Sequence, residues 1–107
     1  MPDLNKNEYG QTLHVNLGED ISSFTALNLI LEPKIGSKLE KSVSDGVSLG
    51  ASNIDVDDES YLANQYISYT IKQGDLDKDG QWRVKGEATL SATNKVISDY
   101  NRFTVLP

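Results

Sequence analysis

The stretch Gln81–Leu90, QWRVKGEATL, alternates between two residue classes at every position. Side chains in a β-strand change face at each residue, so this stretch predicts a strand with one face in a core and the other in water. The inward set includes Trp82, which we expect to lie sealed between two layers. The two sets are Trp82, Val84, Gly86, Ala88 and Leu90 on the inward face, and Arg83, Lys85, Glu87 and Thr89 on the outward face.

Turn-forming residues flank this strand at Gly74–Gly80 and at Ser91–Lys95, and a strand-like segment lies beyond each turn. The segment before is Gln65–Lys72 and the segment after is Val96–Leu106. Short turns between consecutive strands are typical of antiparallel pairing, so the three strands predict a meander. The alternation of the last segment changes phase, which predicts a β-bulge near Asp99. The residues expected to face the core are Ile67, Tyr69, Ile71, Phe103 and Val105.

The rest of the chain also consists of short strand-like runs separated by turn residues. Ala26–Glu32 is apolar on both parities, which favours a central strand, although a buried helix would give the same pattern. Seven or eight short strands at spacings of roughly 8–12 residues are typical of an all-β sandwich or barrel. The other predicted segments are a strand at Thr12–Leu17, an edge strand at Lys38–Val43, one or two strands within Val47–Val56, a loop at Asp57–Ser60 and one helical turn at Tyr61–Ala63.

The chain has 107 residues, no cysteine and a formal net charge of −6. This length fits a single domain, for which we expect a flexible arm at residues 1–10 and a β-sandwich at residues 11–107. Disulfides and thiolate metal sites are excluded. The acidity disfavours nucleic-acid binding, and the apolar run Leu29–Leu31 is far shorter than the roughly 20 residues of a membrane-spanning helix. We therefore expect no nucleic-acid or membrane partner.

One metal-like motif is present, in which Asp75, Asp77 and Asp79 precede Gly80. Carboxylates at positions one, three and five followed by a glycine begin a calcium-binding EF-hand loop. The twelfth position, which should supply a bidentate glutamate, is Gly86 instead, and the residues after Gly80 predict a strand rather than a helix. An acidic hairpin turn explains the same residues. We favour the turn and keep calcium as the only candidate cofactor.

Two further groups of polar residues have a simple structural interpretation. Asp55, Asp57, Asp58 and Glu59 are close in sequence, whereas the paired carboxylates of glycosidases lie several ångströms apart in a cleft, so we expect a solvated loop. His14 falls on the polar face of its strand, and the sequence contains no nucleophile-elbow motif with which a catalytic histidine would act. We therefore expect a surface histidine. No residue pattern in the chain predicts a catalytic site.

Tyrosine and tryptophan side chains offer a possible platform for stacking sugars. Tyr69 and Trp82 fall on inward parities, where packing in the core is the simpler explanation. Tyr61, Tyr66 and Tyr100 are the tyrosines expected to be available as surface contacts. A calcium- or glycan-binding module is therefore the alternative function.

Several short motifs occur in an order that resembles a known family. These motifs are Asp20-Ile21-Ser22, the strand Leu27–Leu31, Glu32-Pro33-Lys34-Ile35-Gly36, Tyr66, Tyr69-Thr70-Ile71, Gly80-Gln81-Trp82 and Phe103-Thr104-Val105. The order resembles that of the immunoglobulin-like domains of tailed-phage virion proteins, notably the N-terminal domain of baseplate upper proteins. In that family a strand ends in a Pro-x-Gly turn, a tyrosine strand leads into a Gly-x-Trp hairpin, and a Phe-x-Val strand closes the sandwich.

The resemblance implies an immunoglobulin-like antiparallel β-sandwich that acts as a non-enzymatic structural or adaptor protein. The implied partners are other virion structural proteins in a symmetric, multicopy assembly. The implied location is the virion, after synthesis in the host cytoplasm, and the sequence at Met1–Lys6 lacks the pattern of a signal peptide. Tail, baseplate, neck, fibre-attachment and capsid-decoration positions all remain open.

Overall fold

A computed structural model of the chain describes residues 3–107, and they form an all-β fold. Within this range there is a single short 3₁₀ turn, Val43–Asp45, and no helix with the length and apolar character needed to cross a membrane. The strands are β1 (Leu4–Asn5), β2 (Thr12–Asn16), β3 (Ala26–Pro33), β4 (Leu39–Ser42), β5 (Ser48–Leu49), β6 (Ile54–Val56), β7 (Glu59–Tyr61), β8 (Tyr66–Thr70), β9 (Gly80–Ser91), β10 (Asn94–Ile97) and β11 (Asn101–Leu106).

The long strand β9 lies at the centre of a six-stranded sheet, which we call the large sheet. On one side β9 pairs with β3, and on the other side it pairs with β10 and β11 in succession, all antiparallel. The predicted central strand is therefore confirmed as β3, and the predicted edge strand is confirmed as β4, which pairs only with β3. Strand β1 completes the other edge by pairing in parallel with β11.

The predicted meander is wrong in one of its three strands. Strand β8 does not pair with β9 but lies in a second, small sheet, between β2 and β5. The segment 71–79 is therefore a crossover between the sheets rather than a hairpin. Glycine and aspartate specify that the chain turns, but not which strand it meets after the turn. Leu76 anchors the crossover because its side chain is fully buried in the core.

The predicted irregularity near Asp99 is confirmed. Ile97 is the last residue of β10 to pair with β9, opposite Glu87, and Asn101 is the first residue of β11 to do so, opposite Val84. The three residues 98–100 thus lie opposite only two residues, 85 and 86. One extra residue on one side of the ladder defines a β-bulge. The Ser98 hydroxyl accepts a hydrogen bond from the Gly86 amide at 2.8 Å, which satisfies this donor where the ladder is interrupted.

One apolar core joins the inward faces of the two sheets. The small sheet contributes Leu13, Val15, Ile67 and Tyr69, and the large sheet contributes side chains from β3, β9 and β11. The Trp82 side chain is 2% exposed and stacks on Phe103 with ring centroids 6.2 Å apart. Its indole N–H donates to the Lys78 carbonyl at 3.0 Å, so its polar atom is also satisfied. The expected burial of Trp82 in a two-layer, sandwich-like core is confirmed.

A flexible arm is expected at residues 1–10. Residues 1 and 2 lie outside the described range, and Leu4–Asn5 form strand β1 instead of a flexible arm. Leu4 is buried in the core, and Leu4–Asn5 pair with Val105 and Leu106. This pairing covers the ladder edge that β11 would otherwise expose, and the Leu4 side chain joins the core cluster.

The loop and helical turn expected at residues 57–63 are also replaced by a different structure. Strands β6 and β7 form a separate two-stranded hairpin, with Ile54 opposite Tyr61 and Val56 opposite Glu59. Asp57 and Asp58 connect them with φ values of 50° and 65°. Positive φ at both central residues defines a type I′ hairpin turn, which aspartate tolerates better than most residues.

Candidate interaction surface

The outward face of the large sheet is built on the polar half of the β9 alternation. Arg83 lies directly opposite Glu32 of β3 and Arg102 of β11. Lys85 lies opposite Ile30, and Glu87 opposite Asn28. Since residues opposite each other in a sheet point to the same side, these side chains form a continuous row across three strands.

At the centre of this face, Arg83 is held by two neighbours. Its guanidinium donates hydrogen bonds to the Glu32 carboxylate through Nε and Nη2. The guanidinium carbon also lies 4.0 Å from the centroid of the Tyr100 ring, a distance typical of a cation–π contact. The Lys85 ammonium approaches the same ring at 5.0 Å. The bulge at residues 98–100 places Tyr100 there, so an irregularity in the backbone creates the aromatic part of the surface.

Next to this centre, one isoleucine is buried on the outward side of the sheet. Ile30 is only 5% exposed, although it faces away from the main core cluster. Its neighbours on this face are long charged side chains such as Lys85, whose hydrocarbon stems cover apolar surface. Glu87 forms ion pairs with Lys85 at 3.6 Å and with Lys95 at 3.0 Å. This part of the surface is therefore ordered by charge pairs.

A groove of about 490 Å³ opens at the end of the same face, beside the β3–β4 loop. Among the residues that line it are Lys34, Arg83 and Arg102, with Glu32 as the one carboxylate. The cations outnumber the acid three to one here, although the chain as a whole is acidic. Ile35, the next residue in the loop, is 83% exposed. Exposed apolar and cationic groups beside a concave surface are typical of a protein contact site.

Asp75, the first residue of the metal-like motif, faces the interior instead of the loop. Its carboxylate accepts hydrogen bonds from the Tyr69 hydroxyl and from the Lys72 amide at 2.9 Å, and it pairs with the Lys41 ammonium at 3.1 Å. Burial opposes ionisation of Asp75, but these hydrogen bonds and the Lys41 charge outweigh it and hold its pKa below the usual value. Burial and the Asp75 carboxylate together raise the pKa of Tyr69. Asp75 thus ties the crossover to β4 and β8.

The other two aspartates of the motif lie apart from this buried group. Asp77 is exposed and pairs with Lys78 at 3.7 Å, and Asp79 is exposed. Across residues 3–107, no group of three or more acidic or histidine side chains has the arrangement of a metal site. The motif is therefore not assembled as a calcium cage in this conformation.

Of the three tyrosines expected as surface contacts, the structure buries two. Tyr61 and Tyr66 are buried, so that expectation is wrong for both. They contact each other at 5.9 Å between centroids, and the Tyr66 hydroxyl donates to the Ser52 carbonyl at 2.7 Å. Tyr61 is the last residue of strand β7, and the Asp57–Ser60 sequence, interpreted as a loop, does not predict the β6–β7 hairpin. Tyr100 does lie at the surface, as expected.

His14 lies on the outward side of the small sheet, half-buried. Its Nδ1 is hydrogen-bonded to the Ser68 hydroxyl at 2.8 Å, and its ring meets the edge of Tyr66 at 5.8 Å. Burial lowers the pKa of His14. This environment favours a neutral imidazole that packs between strands β2 and β8.

The acidic cluster at residues 55–59 forms the outer part of the β6–β7 hairpin, where all its carboxylate residues are exposed. The Asp55 carboxylate accepts a hydrogen bond from the Ser60 hydroxyl at 3.1 Å across the hairpin. Val56, Asp57 and Glu59 at the turn end of the hairpin, together with Tyr61, line a concave surface with Asn101 of β11. The cluster is solvated, as expected, but it is carried on a rigid support.

The alternation of β9 marks Arg83 as an outward residue, but it gives no signal for the Arg83–Tyr100 contact or for the groove.

Comparison of the chain with protein-family models, with curated proteins and with solved structures found no match.

Proposed function

We propose that this protein is a non-enzymatic structural or adaptor component of a tailed-phage virion that acts through protein–protein contacts. Its partners would be other virion proteins in a symmetric, multicopy assembly. The resemblance of the motif order to phage immunoglobulin-like domains supplies the biological context. The outward face of the large sheet supplies the contact surface.

The order of the strands supports an immunoglobulin-like topology. In the variable-type immunoglobulin arrangement, the first, second, fourth and fifth main strands form one sheet; in the other sheet the third strand pairs with the sixth, and the sixth with the seventh. Here β2, β8 and β5 form the small sheet, while β3 pairs with β9, and β9 with β11. The edge strand β4 beside β3 corresponds to the extra strand of the variable type.

The observation that carries the proposal is the stacking of Arg83 on Tyr100 at the surface, next to a groove. Arginine and tyrosine are enriched at the centres of protein interfaces, because they bury large areas and keep a polar end. The Glu32 ion pair fixes the guanidinium before any partner binds, so less side-chain entropy is lost on binding. A preordered surface of this kind suits a permanent contact in an assembled particle.

The direct test is mass spectrometry of purified phage particles whose genome encodes this chain. We expect its peptides in the particles at a constant ratio to the capsid or tail proteins. Replacing Tyr100 with serine should lower its incorporation, whereas Tyr9→Ser, at an exposed tyrosine in a segment hydrogen-bonded to the 71–79 crossover, should not. Absence of the polypeptide from intact particles would overturn the proposal.

A further inference from the structure

We propose that copies of this chain associate head to tail, with the acidic β6–β7 hairpin of one copy seated in the basic groove of the next. The inference rests on the proposed function, because it names the partner of the groove as a second copy in a multicopy assembly. Two features of the same molecule, opposite in charge and separate in position, carry it.

Two cations of the groove have no acidic partner within residues 3–107. Arg83 is paired with Glu32, but the side chains of Lys34 and Arg102 have no ion-pair partner among the described residues. Unpaired cations in a concave surface attract a carboxylate-rich segment, and arginine binds carboxylates with two parallel hydrogen bonds. Ile35 at the rim adds an apolar contact.

The hairpin tip offers the complementary charge on a rigid support. Asp58 and Glu59 are exposed at the tip and have no ion-pair partner within residues 3–107. At the base, Tyr61 is buried and packs on Tyr66, which fixes the direction of the hairpin.

Within one copy, the acidic hairpin cannot reach the basic groove. The hairpin lies against Asn101, while the groove contains Arg102. Successive residues of a strand point to opposite faces, so the hairpin and the groove lie on different sides of β11. A contact between such different surfaces is heterologous, and its repetition generates a ring or a row of copies.

The test uses the purified chain at low ionic strength, where surface charges are least screened. By light scattering and sedimentation, we expect concentration-dependent association that falls as sodium chloride rises. Arg102→Glu and Asp58→Lys should each weaken it about tenfold or more. Glu19→Lys, which changes an exposed acid in the β2–β3 loop, is the matched control and should not weaken it. Circular dichroism checks that each variant is folded.

Mixing the two variants is the decisive measurement. The Arg102→Glu chain keeps an intact hairpin, the Asp58→Lys chain keeps an intact groove, and the two reversed charges attract each other, so the mixture should associate at concentrations where neither variant associates alone. A wild-type chain that stays monomeric up to millimolar concentration, or single variants that associate like the wild type, would overturn the inference. If the chain is then still found in purified particles, only the head-to-tail contact fails and the proposed function stands.

Discussion

Gly50 lies directly against the aromatic ring of Tyr66. A Cβ atom placed on Gly50 would be 2.2 Å from Cζ of that ring, far inside van der Waals contact. The backbone of the two residues is also joined, because the Gly50 amide donates to the Tyr66 carbonyl at 2.8 Å. The absence of a side chain at position 50 is therefore what allows β5 to approach β8.

Replacing Gly50 with alanine should destabilise the fold by about 1–3 kcal/mol, the usual cost of overpacking a filled site. The Tyr66 ring would have to leave its position, which would break its hydrogen bond to the Ser52 carbonyl. Urea denaturation measures the free energy of unfolding. In a Tyr66→Val background the same alanine should cost much less, because the ring it meets is gone. An equal cost in both backgrounds would contradict this explanation.

Asp75→Asn should lower the stability at pH 7 by about 3 kcal/mol, because it leaves the Lys41 ammonium without its carboxylate. Asp77→Asn is the matched control. Its carboxylate makes only an exposed ion pair, which is worth about 0.5 kcal/mol or less, so we expect little change. Chemical denaturation of both variants separates a buried structural role from a general effect of loop charge.

The lowered pKa of Asp75 also predicts a pH dependence. A carboxyl whose pKa is lower in the folded state stabilises the fold above its unfolded value of about 3.9, and this contribution is lost as the pH falls through the folded value. Stability should therefore fall below about pH 4 in the wild type. The fall should be shallower in Asp75→Asn, and equally steep curves for the two proteins would argue against this assignment.

His14 predicts a separate transition at a higher pH. Its pKa is lowered by burial, so the unfolded chain binds its proton first as the pH falls below about 6.5. The sign is then a loss of stability between about pH 7 and the lower, folded pKa. His14→Gln should flatten the stability curve between pH 7.5 and 5, measured by thermal melts in matched buffers. A wild-type curve that is already flat in this range would exclude the effect.

Calcium gives a simple test of the alternative function. Asp75 would have to give up Tyr69 and Lys41 before it could join Asp77 and Asp79 around an ion. We therefore expect millimolar calcium to leave the melting temperature unchanged and EDTA to have no effect. A rise with calcium that is abolished in an Asp77→Asn/Asp79→Asn variant would revive the calcium-binding hypothesis.

The sequence predicts those parts of the fold that depend on local alternation. The inward burial of Trp82, the central position of β3 and the bulge near Asp99 all follow from the parity of neighbouring residues. The membership of β8 in the small sheet does not, because pairing joins strands that are distant in the chain. Local turn residues are the same whether the chain returns beside its last strand or crosses to another sheet.

The Arg83–Tyr100 contact does not follow from the sequence, for the same reason. Arg83 is marked as an outward residue by its position in β9, but Tyr100 reaches it only because the bulge shifts the register of the last strands. The burial of Tyr61 and Tyr66 likewise depends on a hairpin whose turn consists of Asp57 and Asp58, a pair that also suits a solvated loop. Properties that need two distant segments in contact leave no signal in either segment alone.

The pairing of β3 with β9 has a consequence during synthesis on the ribosome. Strand β3 carries a leucine-rich apolar stretch, and its partner on one side is not made until about 50 residues later, which takes roughly 3–10 s at typical elongation rates. For that interval the nascent chain exposes an unpaired apolar strand edge, with which a strand of a neighbouring nascent chain could pair. We would therefore expect slow codons between the two strands to increase misfolding, and chaperones that bind extended apolar segments to raise the yield.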